Sequence, residues 1–222
     1  MAHRSKVEIS GRWAPYYDLL MDVLFLGAYP RFMAEVTARM QVEPGDEILD
    51  LGCGTGRNAR LMLDRAGPAG RIVGVDISQR MLDRARRQCE RHPQMSFVKR
   101  RIEEPLPFAE EFDKVFLSFV LHGFEDEDKR RIIANARKAL RHGGSLCILD
   151  YNEFDLEKVW WPLRWLFTHL ECELATEFVE LNLERMLAEA GFSHFVSHEF
   201  LRGYLRLFAA QEQADERNNG GK

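Results

Sequence analysis

Short apolar runs alternate along this chain with longer stretches in which apolar positions recur at helical spacing. The runs at 47–52, 71–77, 95–100, 112–120 and 144–151 have the length and aliphatic character of buried strands. Between them, 57–66, 78–91 and 127–141 predict helices, the last stopped by His142-Gly143-Gly144. A further helix is expected near 176–190, stopped by Gly191. Such alternation predicts an α/β fold with a doubly wound, mostly parallel sheet. Two final apolar runs, Phe192 to Leu201 and Tyr204 to Ala210, are linked only by Arg202-Gly203. So short a link joins antiparallel strands and cannot hold a parallel crossover, so the sheet is expected to end in an antiparallel hairpin. Residues 13–40 carry an amphipathic pattern through Phe32 and Met40, which predicts an N-terminal helical cap.

These elements outline one domain over 1–211: a cap at 1–43, a core at 44–152, an insert at 153–175, and a last helix with the hairpin at 176–211. Residues 212–222, rich in Gln, Asn and Gly, are expected to form a disordered tail. A length of 222 residues with 45% hydrophobic content supports a single well-filled core. The net charge of -4, from 31 basic and 35 acidic residues, gives no basic field to attract nucleic acid. Arg84-Ala85-Arg86-Arg87 and Lys99-Arg100-Arg101 read as solvated faces. Cys53, Cys89, Cys147 and Cys172 lie far apart, with no Cys-x-x-Cys pair and no His at zinc spacing, which predicts a reduced, metal-free cytoplasmic protein. The amino end has no signal-like apolar segment and no apolar stretch reaches membrane-spanning length. The expectation is a soluble chain, with peripheral contact to a membrane surface left open.

The candidate chemistry begins at Glu47-Ile48-Leu49-Asp50-Leu51-Gly52-Cys53-Gly54-Thr55-Gly56-Arg57-Asn58. Gly52, Gly54 and Gly56 let the chain turn sharply after a strand and approach a ligand closely. The helix that follows directs free N–H groups at that ligand. Twenty residues after Gly56, Asp76 ends the next strand, placed to accept hydrogen bonds from two ribose hydroxyls. A nucleoside-bearing cofactor is therefore expected. The dinucleotide fingerprint Gly-x-Gly-x-x-Gly is not met, because Arg57 stands where it requires Gly or Ala. Asp50, two places before the first glycine, would repel a pyrophosphate and suits a ligand carrying an ammonium group. Cys53 supplies a small side chain inside the loop.

Asp50-x-Gly52-x-Gly54-x-Gly56 resembles motif I of the class I S-adenosylmethionine-dependent methyltransferases, and the order of elements is similar to their seven-stranded Rossmann-like fold. Within that resemblance the cofactor is S-adenosyl-L-methionine and the product S-adenosyl-L-homocysteine, and Ile77 packs on the adenine. The segment Arg100 to Phe108 resembles the family's Gly-Asp-Ala-x-x-Leu-Pro-Phe, whose acid receives the adenine amino group. Arg101 occupies the position of that acid and cannot accept a hydrogen bond. Glu103 or backbone groups at Ile102 are the substitutes. In the fourth strand, Ser118 and Phe119 would line the methionine portion and the pocket floor.

His122, at the end of that strand, is a candidate base or else a structural histidine. Asp150-Tyr151-Asn152 either faces the pocket or caps the next helix. Tyr16-Tyr17-Asp18-Leu19 resembles the cap of the ubiquinone and menaquinone C-methyltransferase group, in which the Tyr closes over the cofactor. Tyr17 is a second candidate for the base, and helix packing also accounts for Tyr16. Trp160, Trp161 and Trp165 place three of the four tryptophans within six residues, as a substrate lid, a membrane-interface helix, a homodimer contact or core packing. The implied reaction is an in-line methyl transfer to a small apolar or lipid-like acceptor. A non-catalytic S-adenosylmethionine-binding protein and an NAD(P)-dependent reductase are the alternatives.

Overall fold

A computed structural model describes residues 25, 27–152, 178 and 181–213. Its elements in chain order are α1 (Tyr29–Arg39), β1 (Glu47–Leu51), α2 (Arg57–Ala66), β2 (Arg71–Asp76), α3 (Gln79–Gln88), β3 (Met95–Lys99), β4 (Phe112–Ser118), α4 (Asp126–Ala139), β5 (Leu140–Tyr151), α5 (Leu183–Glu189), β6 (Phe192–Phe200) and β7 (Leu205–Glu212). Seven strands form one sheet in the order β3-β2-β1-β4-β5-β7-β6. Pairings from β3 through β5 are parallel, and β5, β7 and β6 pair antiparallel. The doubly wound sheet and its closing hairpin are thus as expected.

Alternation along β1 separates two apolar layers. Leu49 and Leu51 join Val73, Val75, Val115, Leu117 and the Ile132, Ile133 and Ala136 face of α4. Ile48 joins Ile72, Phe116 and Leu149 beneath Met33 and Val36 of α1 and Ala59, Met62 and Leu63 of α2. Because β1 has β2 on one side and β4 on the other, successive crossovers leave it in opposite directions. The carboxyl ends beside it form the crevice where open α/β sheets bind ligands. Local signals fix the helices around that crevice. Ser78 caps α3, its Oγ accepting from the Met81 N–H at 3.4 Å, and Asn182 caps α5, accepting from the Arg185 N–H at 2.8 Å.

Three boundaries differ from the sequence reading. The helix expected near 176–190 begins only at Leu183, after the non-helical Leu181 and the cap Asn182. Helix α4 ends at Ala139, where Leu140 turns to an extended ψ of 142°, and β5 begins there rather than at residue 144. Its ladder with β4 shifts register, pairing Phe112 with Leu140 and then Lys114 with Ser145. Gly143, at φ 75°, and Gly144 therefore shape a bulge inside a strand and do not stop a helix. The segment expected to be a loose tail begins instead as strand: Glu212 ends β7, is 8% exposed and takes the Arg137 guanidinium at 3.4 Å.

Among the described residues, no helix is long and apolar enough to cross a membrane and no group of His, Cys, Asp or Glu could hold a metal ion. Tyr16, Tyr17, Trp160, Trp161, Trp165 and Cys172 lie outside the described residues. Phe116, fully buried on the α2 side of β4, tests the packing. Phe116→Ala is expected to cost about 3–5 kcal/mol in urea denaturation. A loss below about 1 kcal/mol would mean that this layer collapses freely around the missing ring.

Candidate cofactor and active site

The loop between β1 and α2 is built so that its backbone, not its side chains, faces the crevice. The Gly52 and Cys53 N–H groups both donate to the Val75 carbonyl, at 2.8 and 3.1 Å, tying the loop to the end of β2. A Cβ on Gly52 would lie 2.5 Å from Val120 Cγ2, so only glycine lets β4's exit pass behind the loop. At Gly54, φ is 52° and a Cβ would meet nothing within 4 Å: the space before it is open, as a loop that cradles a ligand requires. Cys53 points the other way. Its thiol is buried against Gly74, and burial, then the charges of Asp50 and Asp76, push its pKa well above the ordinary thiol value. This sulfur fills space beneath the loop.

Asp76 is where the motif spacing places it. Its carboxylate accepts from the Gly54 N–H at 2.9 Å and the Ser78 N–H at 2.8 Å, one bond to each oxygen. Desolvation nevertheless raises its pKa, opposed by backbone hydrogen bonds from Ser78, Gly54 and Ile77. An ionised carboxylate has about four acceptor positions, so these backbone donors leave it capacity for a further hydroxyl donor. Ile77 follows, half-buried, at the crevice rim.

Asp50 has no such support. It is 1% exposed, and neither carboxylate oxygen has a hydrogen-bond partner among the described residues. Burial, then the Asp76 charge, pushes its carboxyl up to about 7. A buried, orphaned carboxylate beside a second one is costly unless a cation comes to it. That residue, the open space at Gly54 and the spare capacity of Asp76 fit a nucleoside cofactor whose tail is cationic.

In the turn after β3, Arg101 is paired with Glu103, and its Nε lies 3.8 Å from Glu104. The Glu103 carboxylate, 9% exposed, is thus neutralised by the residue that replaces the expected acid. Ile102 buries its side chain in the α4-side layer, and its carbonyl accepts from Asn135 Nδ2 at 2.8 Å. The same nitrogen donates to the Glu104 carbonyl at 2.7 Å, so Asn135 fixes this turn from α4. Nothing in the local sequence marked Asn135 for that role.

The far end of the crevice lies at the exits of β4 and β5. Ser118 Oγ accepts from Asn58 Nδ2 at 3.0 Å, and Asn58 Oδ1 accepts from the Tyr29 hydroxyl at 3.0 Å, linking α1, α2 and β4. Phe119 adopts φ 55°, a strained value for a bulky residue, with its N–H donating to the Leu149 carbonyl at 2.8 Å. Two residues later a short 3-10 turn, Leu121–Gly123, presents His122. His122 Nδ1 is 2.7 Å from Asp150 Oδ1, and its own N–H donates to Asp150 Oδ2 at 3.2 Å. The Tyr151 N–H donates to Asp150 Oδ1 at 2.9 Å. Asp150 therefore stands behind the imidazole and takes both the ring and two backbone N–H groups; the helix it was expected to cap lies outside the described residues. In the tautomer that donates Nδ1–H to that carboxylate, Nε2 is the basic nitrogen. The Tyr151 ring lies 5.0 Å from the imidazole and 6.3 Å from Phe119, so His122, Phe119 and Tyr151 do converge.

Sheet order, glycine loop and strand-end carboxylates together are those of a Rossmann-like methyltransferase. A family described as "Methyltransferase domain" matches residues 48–144. An uncharacterised methyltransferase of Synechocystis is 31% identical over 192 residues, covering 86% of this chain and 87% of that protein. The ubiquinone/menaquinone biosynthesis C-methyltransferase of Bordetella avium is 32% identical, covering 63% of this chain and only 54% of the enzyme's length. In structure, an S-adenosylmethionine-dependent methyltransferase of Aquifex aeolicus superposes with a TM-score of 0.61 at 17% identity, over 81% of this chain and 88% of its own. The chain belongs to the class I S-adenosylmethionine-dependent methyltransferases, related to the ubiquinone/menaquinone C-methyltransferases, and its cofactor is S-adenosyl-L-methionine. That sets aside the nicotinamide alternative.

Asp50 has a consequence for stability. Its folded-state value, about 7, lies above the ordinary 3.8 that holds when the chain is unfolded. Between those values the folded protein binds the extra proton, so stability falls as pH rises through the window, by up to about 1.4 kcal/mol per pH unit for this group. Asp50→Asn is expected to flatten that decline in urea midpoints measured across the window. A slope unchanged by the substitution would place its source elsewhere.

Proposed function

We propose that this methyltransferase acts on a small, apolar or lipid-like acceptor whose reacting carbon or oxygen must lose a proton, and that His122 takes that proton. The observation that carries this reading is the His122–Asp150 pair at 2.7 Å, at the strand ends beyond the cofactor loop. An amine delivered in its neutral form needs no such base, whereas a phenol or quinol carbon does. The quinone enzyme among the relatives supports an acceptor of that kind.

When bound, S-adenosylmethionine supplies a methyl group on a positively charged sulfur, already activated for displacement. This chain's residues then have four tasks. Asp76 holds the ribose through its remaining acceptor capacity, and Gly54 leaves the backbone open to the ligand. The turn at Arg101 to Glu104, fixed by Asn135, borders the adenine. Phe119 and Tyr151 line the acceptor side and exclude water, and Ser118, held by Asn58, borders the methionine portion. His122 accepts the acceptor's proton at Nε2, while Asp150 is a positioning residue that keeps the ring's Nδ1 protonated and its plane fixed. Tyr16, Tyr17 and the tryptophans at 160, 161 and 165 complete the acceptor pocket in this reading.

Two measurements test it. Asp76→Ala is expected to weaken S-adenosylmethionine binding by roughly 1–3 kcal/mol in calorimetric titration, the worth of one or two hydrogen bonds. Undiminished binding would displace the ribose from β2. A methyl-transfer screen over quinols, phenols, amines and phospholipids is expected to yield a quinol or phenol. On that acceptor, His122→Ala should lower kcat by about 10²–10⁴-fold with cofactor affinity kept. Full turnover of His122→Ala, or transfer to amines alone, would remove the base from the mechanism.

A further inference from the structure

We infer that Asp50 is the residue that tells the charged cofactor from its uncharged product: it holds a proton in the empty site, ionises when a cationic ligand arrives, and so favours the sulfonium over the thioether. The inference rests on the placement of the cofactor at the glycine loop.

It begins from how differently the carboxylates at this end of the sheet are supported. Asp76 has two backbone N–H donors. Asp150 has the His122 ring, the His122 N–H and the Tyr151 N–H. Asp50, more buried than either, has no donor among the described residues, on either oxygen. Its neighbours explain why. In register, β1 sets Asp50 between Gly74 of β2 and Phe116 of β4, and neither can donate from a side chain. The face it shares with Ile48 is covered by apolar residues of α2, Ala59 and Met62. The titratable groups that bear on it are Asp76, ending β2, and Cys53, in the loop. Both are acids, so neither offsets a negative charge.

An aspartate so placed has two ways to exist without great cost. One is to keep its proton; the other is to meet a positive charge. Burial already puts its proton affinity near neutral pH, so a modest electrostatic push moves it between those states. S-adenosylmethionine carries ammonium, sulfonium and carboxylate charges summing to plus one, and the product lacks the sulfonium charge. Asp50 therefore gives up its proton to solvent as the site fills with cofactor. It recovers one after transfer, when the methyl–sulfur bonding pair has stayed on sulfur and cancelled the charge, and the acceptor's own proton has gone to His122. The same change of charge that marks turnover thus weakens the hold on the product.

Isothermal titration of the full chain with S-adenosylmethionine and S-adenosylhomocysteine, across pH 6 to 8 and in two buffers of different ionisation enthalpy, tests this. The wild type is expected to release more protons to the cofactor than to the product near neutral pH. Its preference for the cofactor should grow as pH rises. Asp50→Asn is expected to abolish the difference in proton release and to lower the preference by roughly tenfold, the effect of one unit charge at short range in a partly screened site. Equal proton release for the two ligands in the wild type overturns the inference without any variant. So does an Asp50→Asn protein that keeps the wild-type preference and its pH dependence. Misplacement of the cofactor itself would show differently, as Asp76→Ala and Asp50→Asn both leaving the affinity for each ligand unchanged.

Discussion

Parallel strands that end together bring their polar residues together, and the cost of drying those residues shapes this end of the molecule. Strands β1, β2, β4 and β5 terminate on one edge with Asp50, Asp76, Ser118 and Asp150. Each has been taken out of water by the layers that α1, α2 and α4 pack onto the sheet, and a buried polar group must find a partner or hold a proton. Asp76 draws on the loop and the α3 cap, Ser118 on Asn58, and Asp150 on the β4 exit. The loops beside the crevice are held by these bonds, since Gly54, Asn58 and His122 are each fixed through a strand-end acceptor. Leaving Asp50 out of this scheme is the exception that gives the site its polarity.

What could be read in the sequence was whatever depends on local spacing. The order of strands and helices, the three glycines after β1, and the interval from Gly56 to Asp76 are short-range facts, and these appear in the structure as expected. The short hairpin link Arg202-Gly203 was equally informative, because chain length alone forbids a parallel crossover. What could not be read depends on register between strands distant in sequence. His122 and Asp150 are 28 residues apart and meet because β4 pairs with β5 with Ser118 opposite Leu149, placing the two exits side by side. Asn135 reaches the turn after β3 from a helix with no motif of its own. Gly143-Gly144 misled for a related reason: the glycine pair is as good a bulge as a helix stop, and only the shifted pairing with β4 distinguishes them.

The departure at Arg101 has a physical resolution that residue types alone did not offer. A guanidinium in place of an acid reverses a charge, yet Glu103 and Glu104 follow within three positions and take it up. The net charge of the turn is therefore close to what a lone carboxylate beside neutral groups would give. Glu103, nearly buried beside the partly exposed Arg101, carries the charge that neutralises the guanidinium. The turn is also held from behind by Asn135, which donates to the Ile102 and Glu104 carbonyls.

The two ends of the crevice consequently face opposite electrostatic demands. At the cofactor end, negative charge is kept under-supported, so that a cation improves it. At the exits of β4 and β5, Asp150 is supported by the His122 ring and two backbone N–H groups, so its charge is directed at the imidazole. A site that merely bound the cofactor would need the first arrangement and have no use for the second. The carboxylate paired with His122 costs desolvation at 3% exposure. Retaining it is intelligible if the imidazole must present one basic nitrogen, in one tautomer, toward Phe119 and Tyr151. In the proposed mechanism, that requirement is what a transferase with a proton to remove has and a cofactor-binding fold without chemistry lacks.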